Sequence, residues 1–266
     1  MIDLIYLTHN RLEFTQASFE ALLANTDWSL VNQLWLFDEG STDGTKQYLK
    51  AAVDRRAAKV RAAMFLADYS GGPVTCMNDW LDEPGCDIFA KIDNDVIVPP
   101  GWLNAAVGVM EAFPKLGFLG IEPPASRTPA PWADRRRPVP KPEEEHPSSM
   151  RYRHWAIADV FDISAKNPAY AQCDAIGGVG LMRRSAFGKQ RMKPHSTYGG
   201  FTDWQIAHPE VTKGWIVPPL KLFLLDRLPL EPWASLSKRY IEEGLQRPWT
   251  NYEPKDADAL WSWWKS

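Results

Sequence analysis

The sequence predicts an α/β protein built around a mostly parallel sheet, and three observations support that fold class. Five short apolar runs, each of a length typical of a buried strand, occur within the first 121 residues. Segments with apolar residues at helical spacing separate the runs, and turn-forming residues stand between them, as in EGSTDGT at 39–45. Strands that alternate with helices are typical of a doubly wound sheet, which binds ligands at the carboxyl ends of its strands.

Taken along the chain, the elements follow from these patterns. The predicted strands are 2–7, 34–38, 60–66, 87–93 and 116–121. The predicted helices between them are 11–25, 45–54, 74–82 and 99–113. Thr42 or Asp43 is a suitable N-cap for the second helix, and Pro100 suits the start of the fourth. Later elements are predicted as strands near 153–162 and at 176–183 and an amphipathic helix at 236–244.

Composition divides the chain into four parts. Residues 1–122 carry the alternating pattern, and residues 151–228 form a second half with less regular elements. Between them, residues 123–150 combine many prolines with a basic and an acidic run, which predicts a long surface loop or a lid. Residues 229–266 form a C-terminal extension with a tryptophan cluster, predicted to dock on the body or, alternatively, to form a sugar-stacking or membrane-surface patch.

The bulk composition is ordinary for a globular protein and limits the classes of function. A formal net charge of −3 means that any polyanionic partner must find a local basic patch. Three cysteines without a CxxC pair favour a reducing compartment over a disulfide framework or a cysteine zinc site. The N-terminus lacks the features of a signal peptide, and no run approaches about 18 apolar residues, so we expect a cytoplasmic protein without a transmembrane helix.

Polar side chains follow three of the predicted strands at the points where the strands end. His9 and Asn10 follow the first strand, Asp38 ends the second, and Asp93 and Asp95 end the fourth. Because the carboxyl ends of parallel strands meet at one edge of a sheet, these residues are expected around one crevice. Paired carboxylates there repel each other unless a cation or protons neutralise them. Hard divalent cations prefer oxygen ligands and often retain phosphate oxygens, so the pattern predicts a metal–diphosphate site.

An isolated D-x-D sequence has a simpler interpretation. Asp93 and Asn94 could only cap the segment that follows the strand. The position of the motif at a strand end, with Asp38 predicted beside it, favours the metal site over the cap.

The ordered set of motifs resembles that of the glycosyltransferases with the GT-A fold, close to family 2. The resemblance covers about residues 2–226. The segments that carry it are LTHNR (7–11), FDEGSTDGT (37–45), GGPVTCMND (71–79), KIDNDVIVPPGWL (91–103), GGVGLMRRSAF (177–187) and GGFTDWQIA (199–207). It implies that residues 1–122 form a Rossmann-like nucleotide-sugar-binding half and that residues 151–228 form the acceptor and catalytic half.

For the donor side, the resemblance implies a role for each matched residue. The residues implied to bind the donor are Thr8, His9, Asn10, Asp38, Asp93 and Asn94. Asp38 would accept a hydrogen bond from a uracil-type base, and Asp93 would lie near the ribose and the metal. Asp95 would ligate Mn²⁺ or Mg²⁺, and Asp226 takes roughly the place of the family's last metal ligand, a histidine. Two further departures are His9 in place of Tyr and Glu39 in place of Asp.

For the acceptor side, the resemblance makes Asp203 the general base, although Phe201-Thr202-Asp203 replaces the usual Gly-Glu-Asp. A helix N-cap is the alternative role for Asp203. The residues implied to contact the acceptor are Gly177, Gly178, Trp204, Arg135, Arg136 and Arg137. A single base without a paired nucleophile implies direct displacement with inversion, and the metal would neutralise charge on the diphosphate.

The identity of the acceptor stays open between three hypotheses. The first is a metal-dependent hexosyl- or N-acetylhexosaminyltransferase that uses a nucleotide sugar, preferably a UDP-sugar, on a 5-hydroxymethylpyrimidine in DNA, as some phage enzymes of similar appearance do. Basic residues at 133–142 and 189–193 favour DNA, whereas the acidic run at 143–145 weakens it. The second is transfer to a lipid-linked or cell-surface glycan, and the third is a non-catalytic nucleotide-sugar- or carbohydrate-binding module. The host would be a bacterium or a phage-infected cell.

Overall fold

A computed structural model describes residues 1–55, 60–66, 74–121, 169–172, 176, 179–193, 201–217, 220, 222–227 and 231–244. The loop predicted at 123–150 and the strand predicted near 153–162 lie outside these residues. So do five of the predicted acceptor residues, Gly177, Gly178, Arg135, Arg136 and Arg137.

Within the described residues, the predicted strands and helices occur in the predicted order up to residue 120, and one further strand of two residues follows the fourth predicted strand. The strands are β1 Ile2–Thr8, β2 Val31–Asp38, β3 Val60–Phe65, β4 Ile88–Asp93, β5 Val96–Ile97, β6 Leu116–Gly120, β7 Ala169–Gln172, β8 Gly180–Arg183, β9 Thr212–Val217 and β10 Phe223–Leu224. The helices are α1 Leu12–Asn25, α2 Thr45–Arg55, α3 Val74–Asp82, α4 Trp102–Ala112, α5 Arg184–Phe187, α6 Phe201–Ala207 and α7 Trp233–Glu242. A 3₁₀ turn covers Leu225–Arg227.

Eight of the described strands form one mixed sheet, in the order β3-β2-β1-β4-β8-β6-β9-β7. The first four are parallel to one another, as the alternating pattern predicts. β8 is antiparallel to both of its neighbours, β4 and β6. Therefore β6, from the predicted first half, shares a sheet with β8 and β9 from the second half.

Both faces of the sheet are covered by helices, which explains the apolar character of the central strands. On one face, Leu4 and Tyr6 of β1 pack in a buried cluster with residues of α1, α2 and α4. On the other face, Ile5 and Leu7 belong to a cluster with residues of α3, α5 and α6. Among the described helices, none has the length and apolar character needed to cross a bilayer.

Several boundaries differ from the predictions. β2 begins at Val31 and not at 34. The predicted start was too late because the polar residues Asn32 and Gln33 interrupt the apolar run. The strand predicted at 176–183 is shorter, since β8 covers only Gly180–Arg183 among the described residues. The late helix begins at Trp233, after Pro232, and ends at Glu242.

Candidate active site

The carboxyl edge of the parallel strands brings together side chains from three strands. Thr8 of β1 is the register partner of Asp38 on β2, and Leu7 is the register partner of Asp93 on β4. Residues far apart in the sequence therefore meet in one crevice, as expected for the ends of parallel strands.

Asp38 forms the buried floor of this crevice. Its Oδ2 accepts hydrogen bonds from the hydroxyls of Thr8 (3.0 Å) and Ser41 (2.5 Å), and its Oδ1 accepts one from the Ser41 N–H (3.0 Å). The residue is fully buried, so these bonds replace the solvent that a carboxylate otherwise needs. In this arrangement Asp38 fixes Thr8 and the turn after β2. Its contact with a base remains a prediction.

His9 and Asn10 are held against the turn that follows β2. The His9 Nδ1 lies 2.8 Å from the carbonyl oxygen of Glu39, so this nitrogen carries the proton and donates it. The Nε2 then accepts from Asn10 Nδ2 at 3.2 Å. Asn10 Oδ1 in turn accepts from the Thr42 N–H at 2.8 Å. These bonds orient the half-buried imidazole at the mouth of the crevice.

The loop between β1 and α1 has a strained backbone. Asn10 and Arg11 both adopt left-handed conformations, with φ of 52° and 63°. Such conformations are uncommon for residues other than glycine and persist only where the surroundings enforce them. Asn94 supplies part of that enforcement, because its Nδ2 donates to the Asn10 carbonyl at 2.9 Å and to Thr15 Oγ1 at 2.8 Å.

Arg11 reaches across the crevice to the D-x-D segment. Its Nη1 lies 2.9 Å from Asp95 Oδ2, and its Nη2 donates to Asn94 Oδ1 at 2.7 Å. Burial opposes the charge on Arg11, but Asp95 and Asp226 outweigh it, so the pKa of the guanidinium is raised above its ordinary value. Both ends of the Asn94 amide therefore bind other groups of the protein, which makes Asn94 a positioning residue. Its predicted contact with the donor nucleotide sugar stays a prediction.

Asp93 is neutralised by a second cation. Lys91 Nζ lies 2.5 Å from Asp93 Oδ1, and the lysine side chain is almost completely buried. About a third of the Asp93 side chain remains accessible, yet burial of its carboxyl group raises its pKa. Lys91 works against that rise, and Asp95 adds to it. Each carboxylate of the D-x-D segment therefore faces a cation that the chain itself provides.

A short two-stranded sheet brings Asp226 to the same crevice. β10 pairs with β5, so that Leu224 lies opposite Val96, and the Leu225 N–H donates to the Asp95 carbonyl at 2.8 Å. Asp226 follows in the 3₁₀ turn and is 8% exposed. Its charge acts on Arg11 together with the charges of Asp95 and Asp93. Asp226 therefore belongs to the crevice.

The donor set suits a hard divalent cation, but in this arrangement Arg11 serves as the cation. Asp95 binds the guanidinium directly, the charges of Asp226 and Asp93 act on it, and carboxylate oxygen is the ligand type that Mn²⁺ and Mg²⁺ prefer. Within the described ranges, no three acidic, imidazole or thiolate side chains are close enough to hold one ion. The residues fit a metal provided that the guanidinium withdraws and the carboxylates close around the ion.

The predicted catalytic segment begins beside the D-x-D strand. Lys91 Nζ lies 5.9 Å from the centroid of the Phe201 ring, the first residue of α6. Asp203 is the third residue of this helix and not its N-cap, so the capping alternative for Asp203 is wrong. Gln205 of α6 accepts from the Ile176 N–H at 2.8 Å, which joins α6 to the segment just before the predicted Gly177 and Gly178.

Trp204 is part of the core behind α6. It is 6% exposed, and its ring lies 4.5 Å from that of Phe187 and 5.5 Å from that of Phe118, measured between centroids. His208 covers another side of the indole, with ring centroids 4.3 Å apart. This burial argues against direct contact between the Trp204 ring and an acceptor, and it indicates that Trp204 positions α6.

The sequence patterns predicted no role for Arg11 or Lys91. Arg11 is part of the LTHNR segment, but its partner Asp95 is 84 positions away in the sequence. Which distant residue a long side chain reaches depends on the tertiary structure, so the sequence alone does not show this contact. For Lys91 a signal exists, because a lysine in the otherwise apolar run IFAKID indicates a buried charge that needs a partner.

Comparisons with known proteins show the family of the chain and the likeness of its fold. The family model of glycosyl transferase family 2 matches residues 3–190. The search of curated proteins found no match.

Three solved structures show the likeness of the fold. TarS residues 1–349 of S. aureus, in complex with UDP-GlcNAc, is 14% identical, with a TM-score of 0.55 over 83% of this chain and 57% of that one. The mannosyltransferase PcManGT of Pyrobaculum calidifontis, with GDP-Man and Mn²⁺, is 13% identical, with a TM-score of 0.56 over 98% and 68%. GalNAc-T7 with UDP, GalNAc and Mn²⁺ is 10% identical, with a TM-score of 0.54 over 84% and 42%. The present chain spans little more than half the length of that TarS structure.

Proposed function

The chain belongs to glycosyl transferase family 2, and on that premise we propose that it transfers a hexosyl or N-acetylhexosaminyl group from a nucleotide sugar to an acceptor hydroxyl. The observation that carries the proposal is the meeting of Thr8, Asp38 and the D-x-D segment at the carboxyl edge of one sheet. A UDP-sugar is the proposed donor. UDP-GlcNAc, GDP-Man and UDP in the three structural neighbours support a nucleotide sugar in general.

On the donor side, the imidazole of His9 is the proposed contact for the base. Asp38 supports this part of the site from the buried side, through its hydrogen bonds with Thr8 and Ser41. Asp93 and Asp95 face the ribose and diphosphate, and together with Asp226 they would hold Mn²⁺ or Mg²⁺. A bound metal supplies neutralisation of the charge that grows on the departing diphosphate. Two neighbouring structures contain Mn²⁺, which supports this choice of metal.

On the acceptor side, Asp203 is the proposed general base. It removes the proton from the acceptor hydroxyl as the oxygen attacks the anomeric carbon, and the nucleoside diphosphate leaves with the bonding electron pair. A single displacement of this kind inverts the configuration at that carbon. General-base catalysis contributes about 10²–10⁴-fold to the rate. The proximity of Phe201 to Lys91, at the start of α6, supports a base close to the donor site.

A donor screen tests the proposal directly. The shift in melting temperature is measured with UDP-, GDP- and dTDP-sugars, each with and without Mn²⁺. A bound donor at ~100 times its Kd stabilises the fold by about 2.7 kcal/mol. We expect a Mn²⁺-dependent shift with a UDP-sugar that Asp95→Asn abolishes. Failure of every donor to shift the melting temperature would contradict the proposal.

Asp203→Asn separates an enzyme from a sugar-binding module. The variant should bind the donor like the wild type and lose transfer by about 10²-fold or more, measured as release of the nucleoside diphosphate. Equal turnover in the two proteins would remove Asp203 as the base and favour a non-catalytic module.

For the acceptor we propose a 5-hydroxymethylpyrimidine in DNA. The segment 189–193 is fixed on α3 by two hydrogen bonds between Asn78 and Met192, of 2.8 Å and 3.0 Å. Arg191 in this segment pairs with Asp82, while Lys189 and Lys193 are exposed and available to phosphates. The basic residues Arg135, Arg136 and Arg137 lie outside the described residues.

Salt-dependent gel shifts test the DNA acceptor. Lys189→Glu with Lys193→Glu should weaken binding and reduce the salt dependence, because two phosphate contacts are lost. Changing Arg135, Arg136 and Arg137 to Ala should lower activity on hydroxymethylated DNA. Unchanged activity in both variants, or no salt-dependent DNA binding by the wild type, would favour a glycan acceptor.

A further inference from the structure

Arg11 lies in the acidic crevice, against the D-x-D segment. The guanidinium binds Asp95 and Asn94 with two separate nitrogens, at 2.9 Å and 2.7 Å, and its charge interacts with Asp226 and Asp93. The side chains of both Arg11 and Asp95 are mostly buried, with 16% and 14% exposed. One nitrogen binds a carboxylate and the other an amide oxygen, and a charge–charge contact in a mostly buried site is stronger than one at the surface.

The backbone at Arg11 is held in place for this contact. The left-handed pair Asn10 and Arg11 precedes helix α1, which begins at the next residue, and places the arginine side chain against the D-x-D segment. The guanidinium carbon also lies 5.9 Å from the centroid of the Phe14 ring in the first turn of α1. Asn94 holds both residues of the left-handed pair, because its Oδ1 accepts from the Arg11 guanidinium and its Nδ2 donates to the Asn10 carbonyl. An uncommon conformation enforced by the D-x-D segment itself indicates that the placement of Arg11 is part of the site.

The charges of the crevice depend strongly on Arg11. Asp93, Asp95 and Asp226 supply three carboxylates, and Lys91 and Arg11 supply two cations. The cluster therefore has one negative charge in excess with Arg11 in place and two without it. A free divalent cation that binds Asp95 Oδ2 competes with the guanidinium for this oxygen. A diphosphate offers the displaced guanidinium a new bidentate partner.

We propose that Arg11 is a tethered counter-ion that fills the cation position of the donor site until the metal arrives with the nucleotide. The metal then binds as a complex with the diphosphate and hardly at all by itself. Arg11 moves from Asp95 to a phosphate oxygen in the same step. This inference rests on the proposed function for the identity of the diphosphate, but its consequence for free metal does not.

Nucleotide-free binding of Mn²⁺, followed by the electron paramagnetic resonance of the free ion, tests this inference. Wild-type protein should bind Mn²⁺ weakly, and Arg11→Gln should bind it at least about tenfold more tightly, because one competing positive charge is gone. Arg11→Gln with Asp95→Asn should lose the gain, which locates the ion in the crevice. Arg191→Gln, which breaks another arginine–aspartate pair outside the crevice, is the matched control and should bind like wild type.

Arg11→Gln that is folded, as judged by circular dichroism, and binds free Mn²⁺ no better than wild type would overturn the inference. If Arg11→Gln does not fold, Arg11→Met decides: methionine keeps much of the apolar stem of arginine but carries no charge, so a comparable gain is expected and no gain overturns the proposal. Tighter binding of free Mn²⁺ together with a failed donor screen would leave the counter-ion in place and refute only the transferase.

Discussion

Asp93 and Asp95 lie one residue apart, and each has its own positive partner. Lys91 reaches Asp93 from the same strand, and Arg11 reaches Asp95 from the loop after β1. Buried or partly buried charges of one sign can lie together only when such partners are present. Lys91 and Arg11 therefore offset the repulsion between the two aspartates before any ligand binds.

Lys91→Met should destabilise the fold. The substitution keeps most of the buried apolar stem but leaves Asp93 without its 2.5 Å partner. Because a third of the Asp93 side chain is accessible, we expect a loss of roughly 1–3 kcal/mol in the free energy of unfolding, below the range for fully buried pairs. Urea unfolding at neutral pH measures it.

Lys238→Met is the matched control for this prediction. Lys238 is exposed, and its nearest acidic partner, Glu242, is 3.9 Å away. A surface lysine of this kind should change stability by no more than about 0.5 kcal/mol. Equal losses in the two variants would show that the Lys91–Asp93 pair has no special weight.

At the scale of elements, α6 depends on Trp204 for its position. The indole packs between Phe187 and Phe118, on the face of the sheet opposite α1 and α4. The helix that carries Asp203 is therefore anchored by a core side chain one residue later. This arrangement gives Trp204 a structural role in placing α6, while its predicted contact with an acceptor stays a prediction.

Trp204→Ala should cost about 3–5 kcal/mol of unfolding free energy, since it leaves a large cavity in the core. Trp204→Phe retains most of the packing and should cost less. With Trp204→Phe, the KM for the acceptor should stay near the wild-type value, measured by steady-state kinetics. A large rise in that KM without loss of stability would instead assign Trp204 to the acceptor surface.

The helix α7 is joined to α1 by a tyrosine, a glutamate and an arginine. Tyr240 donates to Glu13 and accepts from the Glu13 N–H at 3.3 Å, and Arg239 binds Glu13 at 2.7 Å. Burial opposes ionisation of Glu13, but the bonds from Tyr240 and Arg239 outweigh it and lower its pKa below 4.5. A lowered carboxyl pKa adds stability above the unfolded value, and this stability is lost as the pH falls through the folded value.

Tyr240→Phe should therefore be destabilising in a pH-dependent way. We expect a loss of about 1–2 kcal/mol at neutral pH and a smaller loss well below pH 4.5, where Glu13 is protonated in both states. Tyr48→Phe is the control, because Tyr48 donates to Glu20 at 3.1 Å on an exposed surface. Urea unfolding at both pH values decides the question, and a loss that does not change with pH would contradict the role of Glu13.

At the scale of the whole molecule, the two predicted halves share a single sheet. β8 lies between β4 and β6, and β9 pairs with β6. A fragment of residues 1–122 would lack β8 and β9 and would expose the edges of β4 and β6. We expect such a fragment not to fold, as measured by circular dichroism and cooperative urea unfolding. A cooperative transition in the fragment would establish the first half as an independent domain.

Much of the fold and part of the site could be predicted from the sequence. The parallel order of the first strands and the proximity of Thr8, Asp38 and Asp93 follow from apolar runs and their ends. The reversed direction of β8 could not be predicted, because a buried apolar run looks the same in either direction. The two-residue strands β5 and β10 are too short to show any periodicity, so the contact between Asp95 and the 3₁₀ turn had no signal beyond the family resemblance.

The pairing of β10 with β5 has a consequence for how the protein is made. Asp95 receives its hydrogen bond from Leu225, and Asp226 completes the charges around Arg11. During synthesis, a nascent chain that already contains every one of the motifs up to residue 207 still lacks this part of the crevice. Products of premature termination before residue 226 would thus carry the signature motifs up to residue 207 but lack Asp226 in the crevice.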